Sequence, residues 1–270
     1  MAELGKELRI FQVDAFATKV FEGNPAAIVP LDRWLPDDVL QAIAMENNLA
    51  ETAYFVGKGD GYELRWFTPA AEVPLCGHAT LASAHVLYTH LGYDAPQLHF
   101  DTRSGRLTVR RDGARYEMDF PANPVKPTVA VPALEQALGA VPSMLLKGKN
   151  YLAVFEDMRD VAALRPDVAL LTRFSVEADA GIIATAPGDP ALGWDCASRF
   201  FAPHVGIVED PVTGSAHTSI VPFWAKRLRK DEIVARQISK RGGTLFCTLA
   251  GDRVVMRGSA VDYLFGTIRI

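Results

Sequence analysis

The chain is poor in cysteine: Cys76, Cys196 and Cys247 are its only three, odd in number and far apart. That spacing supports neither a disulfide framework nor the paired ligands of a zinc site. Basic charge is not in excess either. A formal net charge of -4 at pH 7 and a pI of about 5.9 give no electrostatic ground for binding nucleic acid. No apolar run approaches bilayer-spanning length, so no membrane association is expected. The opening stretch MAELGKELRIFQVDAF lacks the long apolar core and small-residue cleavage site of a secretory leader. Low-complexity tracts are missing too. A cytoplasmic globular protein acting on a small molecule is the expectation.

What is present is a repeat. The 270 residues, 49% hydrophobic and 22% charged, are ample for two packed units. EVPLCGHAT (Glu72–Thr80) aligns without gaps on EDPVTGSAH (Glu209–His217), matching Glu72 with Glu209, Pro74 with Pro211, Gly77 with Gly214 and Ala79 with Ala216. Upstream, WFTP answers FFAP, AETAYFVGKGDG answers DAGIIATAPGDP, WLPDDVL answers LRPDVAL, and GNPAAIV answers KNYLAVF with Asn24 opposite Asn150. Downstream, RSGRLTVRRDGARYEM answers RGGTLFCTLAGDRVVM. One such match could be chance; this many in one order argue for duplication.

Each half shows strand patterns with hairpin turn signals, such as Ser104-Gly105 and Asp112-Gly113, and one helix opening at the shared glycine. Those helices, GHATLASAHVLYTHL and GSAHTSIVPFWAKRL, are small or apolar around most of their circumference, as a helix buried on all sides reads. The expected fold is therefore α+β, two pseudo-symmetric halves, each a curled, mostly antiparallel sheet around a central helix. The proline-rich run Pro121–Pro132 suggests an extended crossover. The halves are placed at 1–122 and 123–257, with segment 258–270 a candidate to return to the first.

A duplicated scaffold that closes on itself leaves a cleft between its halves, a favoured ligand site, so matched positions that differ become candidates for chemistry. Glu51 stands opposite Ala180 and opens an apolar strand, where partial burial would suit it to act as a general base. Glu46, nearby, reads as a surface acid. Asp210 stands opposite Val73; a helix cap is the ordinary role for such an acid, but Thr213 and Ser215 are at hand for capping. His78 and Ser215 both follow a helix-opening glycine, where the free N–H groups of Gly77 and Gly214 can receive an anion. Cys76, opposite Thr213, would have a lowered pKa beside a helix start and is taken as a lining residue. Asn24 joins the substrate-binding candidates. His85, His90 and His99 have no comparable setting, and His217 lacks an obvious partner.

The stretches FQVDAFATKVFEGNPAAIV, NNLAETAYFV, LRWFTPAAEVPLCGHAT and EDPVTGSAH resemble the phenazine-biosynthesis PhzF-like isomerase family, itself similar to diaminopimelate epimerases and proline racemases. The resemblance covers nearly the whole chain. It implies the same two-half fold, a homodimer, no metal, pyridoxal or nucleotide cofactor, and a catalytic set of Glu51, His78 and Asp210. At LCGHAT this chain carries cysteine and a following alanine where the phenazine enzyme has a small apolar residue and a proline, so the resemblance does not extend to the phenazine substrate. The implied activity is an isomerase or epimerase that moves a proton on a small anionic carboxylate. The rivals are a binding or scaffold protein that retains the cleft, and a Cys76/His78 hydrolase. The hydrolase is awkward because residues two apart on a helix do not face each other.

Overall fold

Apolar runs too short for core helices become strands. The structure, a computed structural model, describes residues 5–270 and divides into two units, residues 5–119 with 257–270, and residues 120–256. The first unit runs β1 (Glu7–Ala15), β2 (Asn24–Leu31), α1 (Asp37–Asn47), β3 (Glu51–Lys58), β4 (Gly61–Phe67), β5 (Glu72–Val73), α2 (Gly77–His90), β6 (Gln97–Thr102), β7 (Gly105–Asp112) and β8 (Arg115–Pro121). The second contains β9 (Lys126–Pro127), α3 (Pro132–Leu138), β10 (Met144–Lys147), β11 (Tyr151–Val154), α4 (Met158–Ala163), α5 (Val168–Ala178), β12 (Ile182–Pro187), β13 (Cys196–Ala202), β14 (Ile207–Asp210), α6 (Gly214–Leu228), β15 (Glu232–Gln237) and β16 (Gly243–Ala250). After β17 (Arg253–Gly258), the last strand, β18 (Ala260–Arg269), pairs antiparallel with β1 in the first unit.

The strand pairings repeat with the sequence. In the first unit β1/β2 is antiparallel, β2/β3 parallel, β3/β4 and β4/β5 antiparallel, β4/β6 parallel and β6/β7 antiparallel. In the second, β10/β11, β11/β12, β12/β13, β13/β14, β13/β15 and β15/β16 follow the same succession of senses. Strands in the parallel pairs are buried along nearly their whole length, as NPAAIVPL and ETAYF of β2 and β3 show. The expected hairpins form, with central residues Arg103-Ser104 and Gly113-Ala114, each one residue off the dipeptide that signalled it.

Helix α2 is buried at every position from His78 to Tyr88, as its all-round apolar composition demands. Helix α6 carries Pro222 in its interior, which leaves the carbonyl of Thr218 without its i+4 donor. The backbone N–H of Asn123, from the proline-rich run, donates to that carbonyl at 2.9 Å, and Ser219 Oγ donates to Asn123 O at 2.8 Å. The expected crossover is thereby fastened to the helix at its weak point. Separate apolar clusters fill the space beneath the outer helices, around Leu40, Tyr54 and Phe67 in the first unit and around Leu134, Phe155 and Phe201 in the second.

Candidate active site

In the first unit the backbone brings four predicted residues together. Gly23 adopts φ +68°, and a Cβ there would sit 2.1 Å from Ala15 O, so only glycine lets the chain turn tightly into β2 and deliver Asn24. Glu51 opens β3, opposite Ala26 of β2. Cys76 is the N-cap of α2 with extended backbone (φ −144°, ψ 108°), followed by Gly77 and His78. Asn24, Glu51, Cys76 and His78 are all buried; Glu51 is 7% exposed.

His78 is the hub. Its Nε2 lies 3.0 Å from Glu51 Oε2, its Nδ1 lies 3.2 Å from Asn24 Nδ2 and 3.5 Å from Cys76 Sγ. The amide nitrogen of Asn24 can only donate, so it places the lone pair of the neutral ring on Nδ1 and the proton on Nε2, toward Glu51. The Nε2 to Oε2 approach is a close ion pair rather than a well-aligned hydrogen bond, since neither atom has a hydrogen-bond partner of good geometry. Burial opposes a charge on His78, but the contact with Cys76 and the negative charge of the Glu51 carboxylate beside Nε2 favour it, and the imidazole is raised above its ordinary value.

Two expectations about Cys76 are corrected. Its side chain does meet His78, because as an extended N-cap residue it lies outside the helical geometry that keeps i,i+2 pairs apart. Its pKa is raised to about 11, not lowered: burial, with the Glu51 carboxylate adding to it, outweighs the helix start and His78. The thiol is therefore protonated at neutral pH. The ligand atoms of Glu51, Cys76 and His78 lie within 4.8 Å of one another, yet the imidazole presents opposite nitrogens to the acid and the thiol, an arrangement for passing a proton along the ring rather than for chelating one ion.

In the second unit the matching loop is built differently. Thr213 is the N-cap of α6, but its hydroxyl does not cap the helix, contrary to expectation; it donates to Asp210 Oδ2. Asp210 is 8% exposed, and Ser215, after Gly214, is exposed. Gln237, fully buried at the end of β15, organises the turn: its Oε1 accepts from Thr213 N at 2.9 Å and its Nε2 donates to Asp210 O at 2.7 Å and to Thr213 Oγ1 at 3.2 Å. Sequence reading passed over Gln237, which sits 24 residues beyond the loop it holds and belongs to no local pattern. His217 also has a partner after all, since its Nδ1 donates to Thr213 O at 2.7 Å, as Thr80 Oγ1 in the sister helix donates to Cys76 O. Burial drives His217 down to about 4.

Both loops are anchored alike. Arg65 grips Glu72 with two parallel bonds of 2.8 Å, and Arg199 grips Glu209 with bonds of 2.7 and 2.8 Å. Ser104 Oγ donates to Pro74 O at 2.7 Å and Ser239 Oγ to Pro211 O at 2.6 Å. The matched glutamates and prolines are thus scaffold, and the residues between them and the helix are left to differ.

The match to the PhzC-PhzF family, described as phenazine biosynthesis-like protein, spans residues 13–266. The chain belongs to this family. It is 51% identical to an uncharacterized isomerase of Pseudomonas aeruginosa over 98% of this chain and 100% of that one. A crystal structure of a PhzF-family phenazine biosynthesis protein from Enterococcus faecalis superposes with a TM-score of 0.93 at 42% identity, covering 98% of this chain and 100% of that one. A hydroxyproline epimerase from Agrobacterium vitis, solved with bound trans-4-hydroxy-L-proline, shares the fold at a TM-score of 0.58 and 10% identity, covering 98% of this chain and 93% of that one. The α+β architecture expected from the repeat, and its likeness to epimerases implied by the resemblance, are those of the family.

Proposed function

We propose that this PhzF-family protein is a cofactor-independent isomerase that moves a proton at a carbon adjacent to a carboxylate, with Glu51 as the base. The observation that carries this reading is the buried Glu51 carboxylate 3.0 Å from His78 Nε2 at the first turn of α2. The names of its isomerase relatives support it. Glu51 takes the proton from carbon, the pair of electrons left behind spreads into the neighbouring carboxylate or conjugated system, and the proton returns at the opposite face or at another carbon. His78, in contact with Glu51, carries the proton between steps.

The first-turn amides at Gly77 and His78, and those at Gly214 and Ser215, have no intrahelical acceptors and suit an anionic substrate group. Each donor placed on developing negative charge is worth a few kcal/mol, on the order of 3. Asp210, held by Thr213 and Gln237, orients the substrate or relays a proton. The test is solvent exchange: the protein is incubated in deuterated water with a panel of small carboxylic acids that bear an acidic α-hydrogen, and products are read by mass and NMR. Deuterium should enter at one carbon of an accepted substrate. Glu51→Gln should abolish exchange by a factor on the order of 1,000 or more while the far-ultraviolet spectrum is unchanged. Exchange that survives Glu51→Gln, or none across a broad panel with the native protein, would overturn the reading.

A further inference from the structure

The end of helix α2 carries a second cluster of ligand-type side chains that shares no residue with the Glu51 site. His85 Nε2 lies 3.1 Å from Asp262 Oδ1, and His90 Nε2 lies 3.0 Å from both carboxylate oxygens of Asp262, on β18. One donor atom from each of the three residues falls within 4.8 Å of the others. Both rings are held in place before any ion arrives. His85 is buried with Nδ1 3.0 Å from Tyr116 Oη, and His90 stacks on Phe11 at 5.0 Å between centroids, with Phe265 at 6.5 Å.

We propose that His85, His90 and Asp262 form a binding site for a divalent transition ion, with Zn2+ the best match. Separations of 3.0 and 3.1 Å between ligand atoms are close to the edge, about 3.3 Å, of a tetrahedron whose centre lies about 2 Å from each ligand. Two imidazole nitrogens and one carboxylate oxygen suit a borderline ion rather than Mg2+ or Ca2+, which prefer all-oxygen shells. Without an ion, His85 Nε2–H donates to the Asp262 carboxylate and Nδ1 accepts from the Tyr116 hydroxyl; when an ion displaces the Nε2 proton, Nδ1–H can donate to Tyr116 Oη instead, the outer-shell arrangement usual for a ligating histidine. His90 and Asp262 are partly exposed, with side chains 25% and 37% accessible, so an ion can enter and a water can complete the shell. Bound there, the ion ties the last residue of α2 to the strand that closes on β1.

The experiment uses the full chain carrying Cys76→Ser, stripped of metal, so that the buried thiol cannot contribute a ligand. Zn2+ is titrated by calorimetry and Co2+ by visible absorption. One ion per chain, a tetrahedral Co2+ spectrum and a higher Tm with Zn2+ are expected. His90→Ala and Asp262→Ala should each weaken binding by more than the roughly 10–100-fold that follows loss of an outer-shell partner, and Tyr116→Phe by about tenfold. Should His90→Ala fail to fold, Asp262→Ala, at a partly exposed carboxylate, carries the same decision. No stoichiometric binding in the parent, or binding unchanged in the His90 and Asp262 variants, would overturn the proposal.

Discussion

Cys76 Sγ lies 3.5 Å from His78 Nδ1, on the other side of the ring from the 3.0 Å contact with Glu51. Proximity of thiol and imidazole is the outward mark of a cysteine nucleophile, but burial holds this thiol near 11. At pH 8 only about one molecule in a thousand would carry a thiolate, against roughly a quarter for a free cysteine. Iodoacetamide should therefore modify Cys76 at least about a hundredfold more slowly than a small thiol, read by mass spectrometry of the native protein. Cys76→Ser should lower turnover by about tenfold, through the altered partner of Nδ1, far less than Glu51→Gln. Rapid alkylation that removes all activity would revive the hydrolase reading.

His217 makes the fold acid-sensitive. Its pKa is about 4 in the folded chain, because burial disfavours the charged ring by more than the bond from Nδ1–H to Thr213 O favours it, and about 6.5 when unfolded. Between those values the unfolded state binds the extra proton, so stability falls as pH drops from about 6.5 toward 4, by a total on the order of 3 kcal/mol. His78 works in the opposite direction, its raised pKa adding stability at low pH, so the comparison must isolate His217. His217→Thr, which installs the hydroxyl that Thr80 uses at the matched position, should flatten the dependence of the urea midpoint on pH between 4.5 and 7 relative to the parent. An identical slope in both proteins would count against the assignment.

The loop anchors should be interchangeable in cost. Arg65 and Arg199 are largely buried, with side chains 17% and 11% exposed, and each makes a two-pronged contact that lysine cannot reproduce. Arg65→Lys and Arg199→Lys should each destabilise the fold by about 1–3 kcal/mol, visible as a lower calorimetric Tm. Substitutions that left Tm within one degree would mean the pairs serve only to place the loops.

The duplication was legible because nine residues align without a gap, and Glu51 and Asp210 could be singled out as candidates because they align with Ala180 and Val73 in the repeat. The matched Arg65 and Arg199, one residue before WFTP and FFAP, were also in plain view as partners for the matched glutamates. Other features had no sequence signal. The Cys76–His78 contact depends on an extended N-cap, where helical spacing rules do not apply. Gln237 reaches its loop through strand pairing, and the His85, His90 and Asp262 cluster joins an i,i+5 pair to a residue 172 positions beyond His90. Such contacts are made by topology, which no local window reports.

The twin anchors set the terms on which this protein can evolve. Arg65–Glu72 with Ser104–Pro74, and Arg199–Glu209 with Ser239–Pro211, hold each loop by residues matched between the halves. Past those anchors the same mounting carries different side chains: valine in one loop and aspartate in the other, cysteine and threonine, histidine and serine. The two loops thus differ at five of nine aligned positions while resting on one and the same support, so the duplication kept the mounting and let its load diverge.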